Sequence, residues 1–260
     1  MSFEHPLTKT WSQGRQAVGG WATIPSSLLV EIAGRQGLDY VCIDQQHGMI
    51  DDSSSIDMLQ AISVTDAVPL IRVRWNEPAA IMSALDAGAL GVIVPMIETA
   101  DDARKAVQAC RYPPHGQRSF GPVRARDVIG STDPRELEKI LCIIMIETEQ
   151  AISNLDEVLA VPGVDALYIG PSDLALALGE NPGSQSETFN KQVSEIRQKA
   201  QAQGTAVGIH TAHGDVAKRY LDEGFNFVTL YSDAGLFAWA INEHQALISG
   251  HGRDNGPSSY

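Results

Sequence analysis

Eight short apolar runs, separated by amphipathic stretches of helical length, constrain this chain more than any other feature. They are AVGGWATI (17–24), YVCID (40–44), PLIRVRW (69–75), GVIVPMI (91–97), CIIMIE (142–147), ALYIG (166–170), AVGIH (206–210) and FVTLY (227–231). Several are apolar without alternation, the pattern of parallel strands covered on both faces. The intervening stretches carry helix punctuation. EPAAIMSALDAG has Pro78 near its start and Gly88 at its end, and TADDARKAVQAC opens on Thr99 as an N-cap with acids in its first turn. AISNLDEVLAVPG puts Ile152, Leu155, Val158 and Leu159 on one helical face and stops at Pro162-Gly163. Eight strands alternating with helices in 260 residues predict a (β/α)8 barrel. The rival is a doubly wound open sheet. Its dinucleotide-binding form is disfavoured, because no Gly-x-Gly-x-x-Gly follows the first strand. A single barrel domain is expected over residues 1–250, with a flexible tail over 251–260 and a long excursion at 111–136 between the fourth and fifth strands.

The charge balance narrows the partners. With 19 basic and 32 acidic residues the net charge is −13, which disfavours nucleic acid and anionic membranes. No apolar run approaches the ~20 residues of a membrane helix. The N-terminal MSFEHPLTKTWSQGRQ lacks the apolar core of a signal peptide, so a cytoplasmic protein is expected. Cys42, Cys110 and Cys142 have no metal-site spacing and read as small buried hydrophobes.

In a barrel the chemistry sits at the C-terminal ends of the strands. Glu147 and Asp173 each follow an apolar strand, and those strands are neighbours in the sequence order. Two carboxylates held together need a cation or a shared proton. With water and substrate oxygens they suit Mg²⁺ or Mn²⁺. The plainer reading is that Glu147 opens a loop and Asp173 caps a helix. Gly170-Pro171 makes a turn, and the free backbone N–H groups of Ser172 and Asp173 at the helix start can hold a carboxylate. Arg72 and Arg74, two apart in one strand, should point the same way. A guanidinium inside a barrel requires an anion, which a substrate carboxylate or developing enolate would supply. The alternative is a salt-bridged surface arginine. His47 has Asp44 three residues earlier as an orienting partner that would raise its basicity, although a structural loop histidine fits the same spacing.

Four stretches resemble the HpcH/HpaI aldolases, metal-dependent class II 2-oxo-acid aldolases. They are YVCIDQQHG, PLIRVRWNEPAAIMSALDAGALGVIVPMIETADDARKAVQACRYPPHGQRSFGP, IIMIETEQAISNLDEVLAVPGVDALYIGPSDLALALG and FNFVTLYSD. Together they cover most of the chain from about Gly37 to Asp233. The resemblance implies a (β/α)8 barrel of the pyruvate/phosphoenolpyruvate superfamily. It also implies a homohexamer, a dimer of trimers, with the last helix exchanged between subunits. Glu147 and Asp173 would ligate the divalent metal, Mg²⁺ or Mn²⁺ with Co²⁺ as a third candidate. Arg72 would contact the 2-oxo acid carbonyl and the enolate. His47, oriented by Asp44, would serve the acid–base steps. The turn Gly170, Pro171, Ser172 and Asp173 would hold the substrate carboxylate through its backbone N–H groups. The implied reaction is reversible cleavage of a 4-hydroxy-2-oxo acid to pyruvate or hydroxypyruvate and an aldehyde, in the catabolism of sugar acids or aromatic compounds.

The chain departs from the family's pattern at two places. Gln46 stands where many relatives carry an acid, and Met145 where many carry a glutamine that helps bind the oxo acid. Both leave hydroxypyruvate open as a donor beside pyruvate. HTAHG after the seventh strand is more polar than the family pattern and is expected to shape the acceptor pocket, with roles for His210, His213, Arg74 and Arg124 left open. No lysine ends any of these strands, which argues against a Schiff-base aldolase. An acyl-CoA lyase of the citrate lyase β or malyl-CoA type is the alternative, but no lysine/arginine run offers a channel for its phosphates. Oxaloacetate decarboxylation would use the same enolate chemistry. A non-catalytic scaffold is the third reading, disfavoured by the intact set Glu147, Asp173, Arg72 and His47.

Overall fold

A computed structural model of the chain describes residues 2–249; the tail expected over 251–260 lies outside them. The strands are β1 (Ala17–Ala22), β2 (Tyr40–Asp44), β3 (Val68–Arg72), β4 (Gly91–Val94), β5 (Leu141–Ile146), β6 (Ala166–Ile169), β7 (Ala206–Ile209) and β8 (Phe227–Ser232). They pair in sequential order into a closed parallel barrel, with β1 meeting β8. Each strand is buried almost throughout, and helices cover the outer face. Continuous apolar runs are the consequence.

All eight expected strands are present, but several end one to three residues early. The chain leaves the ladder at the C-terminal rim of the barrel, so Glu147, Gly170 and His210 are the first residues past their strands. β3 ends at Arg72, which breaks the expected alternation. Arg72 is buried, whereas Arg74 is half exposed and pairs with Asp52 at 3.0 Å. The expectation that both arginines face the same way is therefore corrected. It assumed a strand that continues to Trp75.

The helices Pro78–Asp86 and Ala100–Cys110 follow their punctuation, and Thr99 and Asp102 form a reciprocal capping box. The helix expected over AISNLDEVLAVPG is two pieces, Glu149–Ser153 and Leu155–Leu159. Asn154 joins them at φ −98°, ψ 8°, outside helical geometry, and its Nδ2 donates to the Glu98 carbonyl at 2.9 Å. Arg124 donates to the carbonyls of Ala87 and Leu59 and so ties helix ends together.

The last helix, Asp233–Ser249, starts from an Asp233 carboxylate that accepts the N–H groups of Thr23 and Ile24, just past β1. It leaves Leu236, Phe237, Trp239 and Ile248 exposed. Among the described residues no helix is long and apolar enough to cross a membrane.

Candidate active site

The rim is organised around Asp44, the last residue of β2, which is fully buried. Its Oδ1 accepts Arg72 Nε at 2.8 Å and its Oδ2 accepts Arg72 Nη2 at 2.6 Å. This bidentate pair is possible because Asp44 and Arg72 sit in register on adjacent strands. Trp21 Nε1 also donates to Oδ2, at 3.2 Å, and the backbone N–H groups of Gln46 and His47 donate to Oδ1, at 3.0 and 3.3 Å. Burial pushes the Asp44 carboxyl up, but Arg72, Trp21 and the His47 N–H together hold it below its ordinary value. These five donors fill the acceptor capacity of a carboxylate. The expected partnership of Asp44 with His47 thus includes a bond to the backbone of the exposed His47, and the carboxylate's main partner is Arg72.

Trp21 is a residue that sequence reasoning missed. Its ring lies 4.9 Å from Arg72 Cζ, stacks on Tyr168 at 5.6 Å and meets the His210 ring edge-on at 4.8 Å. It fixes one face of the guanidinium while Asp44 fixes the edge. The available signal was a large indole near the end of an otherwise small-residue strand. Tyr168, Thr229 and Tyr40 continue this packed column by hydroxyl contacts. Gly19 makes room for it, since a Cβ there would overlap the Tyr40 ring.

Glu147 is buried at the end of β5, and its Oε1 accepts the Met96 N–H at 2.8 Å. Met96 has φ 56°, the left-handed region that a bulky side chain rarely adopts. Strain of this kind costs on the order of 1–3 kcal/mol and persists where the surroundings dictate it. Here it aims a backbone N–H at Glu147. The other oxygen, Oε2, lies against Gly170, where a Cβ would overlap both it and the Met145 methyl. Glycine at 170 is therefore required by close approach, and Met145 stands beside the carboxylate. Ser172 is buried and Asp173 half-buried in the first turn of the helix Pro171–Ala177.

Asp173 and Arg72 lie close enough to Glu147 to act on its charge. The Glu147 carboxyl is pushed up to about 7, by burial first and also by the Asp173 charge, against the opposing Met96 N–H and Arg72. A raised folded-state value means that protonated Glu147 is the favoured form. The associated stability is full below the unfolded value of 4.5 and is lost as pH rises through about 7. Metal-free protein is thus expected to lose about 3 kcal/mol of unfolding free energy between pH 4.5 and 8 from this group. A divalent cation should cancel the loss, and denaturant unfolding with and without chelator across that range checks it. A metal-free protein as stable at pH 8 as at pH 5 would argue against a buried uncompensated carboxylate.

Among the described residues no group of three or more His, Cys, Asp or Glu side chains is placed to hold a metal ion. The candidate donor set is a carboxylate pair, Glu147 and Asp173, and a cation beside it would offset the Asp173 charge that acts on Glu147. A hard octahedral ion such as Mg²⁺ accepts this arrangement, keeping its other positions for water and substrate oxygens. The residues therefore fit the ion that the sequence implied.

The sequence pattern of a family described as HpcH/HpaI aldolase/citrate lyase matches residues 18–240. A hydroxypyruvate/pyruvate aldolase of Rhizorhabdus wittichii is 40% identical over 236 residues, covering 90% of this chain and 94% of the relative. A 4-hydroxy-2-oxo-heptane-1,7-dioate aldolase of Shigella flexneri is 36% identical over 260 residues, covering 98% of this chain and 96% of that one. Among solved structures, an HpcH/HpaI aldolase/citrate lyase family protein of Burkholderia cenocepacia superposes with a TM-score of 0.86 at 26% identity, over 94% of this chain and 99% of that chain. With its barrel and its sequence matched over most of their length, the chain belongs to the HpcH/HpaI aldolase/citrate lyase family and is an aldolase-type carbon–carbon lyase.

Proposed function

We propose that this aldolase reversibly cleaves a 4-hydroxy-2-oxo acid into pyruvate or hydroxypyruvate and an aldehyde, through an enolate formed at the rim of the barrel. The observation that carries the reading is an arginine held rigid by a buried aspartate within electrostatic reach of buried Glu147, which also feels the charge of half-buried Asp173. Glu147 and Asp173 would hold a divalent ion, Mg²⁺ or Mn²⁺. When bound, that ion acts as a Lewis acid toward the 2-oxo acid.

The chain's own residues do the rest. Arg72 presents a positive charge where the keto oxygen becomes an enolate oxygen. Asp44 and Trp21 keep its guanidinium from turning, so little reorganisation is needed at the moment of reaction. The N–H groups of Ser172 and Asp173 hold the donor carboxylate. In cleavage, His47 takes the proton from the 4-hydroxyl; in synthesis it returns that proton to the new alkoxide. Met145 puts an apolar thioether beside Glu147. The donor is then gripped by fewer side-chain hydrogen bonds, which leaves room for the extra hydroxyl of hydroxypyruvate.

His47→Ala is expected to keep the fold and metal affinity and to lower aldol turnover by about 10²–10⁴-fold, the usual worth of a general acid–base group. Near-normal turnover would remove His47 from the mechanism.

The same reading extends to assembly. We propose a homohexamer in which the helix Asp233–Ser249 packs on a neighbouring barrel. The exposed Phe237, Trp239 and Ile248 support it, because apolar side chains of that size are costly to leave in water. The reaction itself is tested by incubating the protein with pyruvate or hydroxypyruvate and glycolaldehyde, with Mg²⁺ or Mn²⁺ and then with chelator. A new 4-hydroxy-2-oxo acid formed only with metal supports the proposal. Turnover confined to acyl-CoA substrates would replace it with a thioester lyase.

A further inference from the structure

The exposed His47 lies in the bend 45–49, which belongs to no helix or strand. A side chain that moves a proton must stay within about an ångström of its working position. On a loop, the surrounding scaffold has to supply that precision. At the start of the bend the backbone N–H groups of Gln46 and His47 donate to Asp44 Oδ1. At its end the Met49 N–H donates to the Thr23 carbonyl at 2.9 Å. Gly48 fills the space between, where a Cβ would overlap the Asp44 carbonyl and press on the Thr23 backbone. The turn that carries His47 is thus clamped between Asp44 and Thr23.

Asp44 is part of the barrel wall and is locked by Arg72. Thr23 is past the end of β1 and only half-buried. Its anchor is Asp233, the first residue of the last helix. Asp233 Oδ1 accepts the Thr23 N–H at 2.8 Å and the Thr23 hydroxyl at 2.6 Å, and Oδ2 accepts the Ile24 N–H at 3.0 Å. The register of β1 on β8, Trp21 beside Ser232, brings the two segments together. A polar side chain at a helix start ordinarily serves its own helix. Here Ser232 does so, its Oγ accepting the Gly235 N–H at 3.3 Å. Asp233 takes one bond from its own helix, the Ala234 N–H at 2.8 Å, and three from the segment that holds the His47 turn.

We propose that Asp233 is a positioning residue for His47, acting through the Thr23 carbonyl. The inference rests on the reading of His47 as the group that moves the 4-hydroxyl proton. The residues proposed to hold the metal and the donor, Glu147, Asp173 and Ser172, follow β5 and β6, across the barrel from β1. Loosening the Asp233 clasp should therefore lower kcat and leave KM and metal affinity almost unchanged.

The test compares Asp233→Asn in wild-type and His47→Ala enzyme, with Mg²⁺, glycolaldehyde and the faster of pyruvate and hydroxypyruvate. Asparagine keeps the volume, but its Nδ2 cannot accept, so bonds from the Thr23–Ile24 segment are lost. In the wild-type background kcat is expected to fall by about 10–10²-fold, with KM and metal affinity within about three-fold. In the His47→Ala background the same change should cost less than about two-fold, because no histidine remains to be misplaced. Thr23→Val removes only the hydroxyl donor and should show the same dependence on His47 at smaller size; it decides the matter if Asp233→Asn does not fold. A similar loss in both backgrounds would make Asp233 merely structural, and no loss in the wild-type background would leave it without a positioning role. Either result overturns the inference while the acid–base reading stands. Near-normal turnover in His47→Ala alone would overturn that reading, and the positioning role with it.

Discussion

Replacing Glu147 with glutamine is expected to abolish tight divalent-metal binding and to lower aldol kcat/KM by about 10³-fold or more, while making the metal-free protein more stable at pH 8. The first two effects follow from removing one of two carboxylates proposed to hold the ion. Loss of several kcal/mol of Lewis-acid stabilisation corresponds to at least that factor in rate. The third follows from burial. Glu147 is 2% exposed and its carboxyl is pushed up to about 7, so ionised Glu147 is a burden in the metal-free protein. Glutamine keeps the volume and can still accept the Met96 N–H through its amide oxygen. A gain of about 3 kcal/mol at most is expected above pH 7. Calorimetric metal titration, turnover and denaturant unfolding on one preparation read all three. A variant that still binds one metal per subunit at wild-type affinity would take Glu147 out of the site. A variant that loses activity and stability together would mark it as merely structural.

Arg72→Lys should lower kcat by about 10²–10³-fold, the usual consequence of removing one well-aimed donor to a developing oxyanion, equivalent to ~2.7–4 kcal/mol. Lysine keeps the positive charge that Asp44 needs. It cannot reproduce the two parallel bonds at 2.8 and 2.6 Å, nor lie flat on Trp21. Arg72→Ala should in addition destabilise the fold by about 3–5 kcal/mol, because it leaves Asp44 as a buried charge without its partner. The lysine variant therefore separates rate from stability. If its kcat stays within two- or three-fold of wild type at unchanged stability, Arg72 is a structural counter-ion for Asp44 and not a participant in the chemistry.

Much of this was legible in the sequence, and the misses have physical causes. The barrel could be read because strands buried on both faces require continuous apolar runs, as LCIIMI in β5 shows. Asp44, Glu147 and Gly170 could be picked out because each stands where an apolar run stops. Where the run stops was harder. PLIRVRW reads as seven strand residues, but the chain leaves the ladder after Arg72, so the period-2 argument failed for Arg74. Pairings between distant residues were also out of reach. The spacing of Asp44 and His47 suggested a contact, and the His47 N–H does donate to Asp44, but the bidentate Arg72 partner comes from the register of β2 against β3, which spacing does not show. Met96 left no trace as a site residue, and Trp21 only that of a large indole in a strand of small residues. Trp21 acts through where its indole lies and Met96 through a backbone N–H and a positive φ, neither of which composition or period reveals.

The central claim is that this rim makes an enolate from a 2-oxo acid with the help of a divalent ion. Hydrogen–deuterium exchange at C3 of pyruvate, followed by NMR in D₂O, tests it before any aldehyde is known. Mg²⁺ serves as the ion, with a parallel trace-Mn²⁺ sample and a chelated control. The account predicts exchange that needs both protein and metal, stops with chelator and is lost in Glu147→Gln. Exchange that persists in chelator, or none with either pyruvate or hydroxypyruvate, would contradict it.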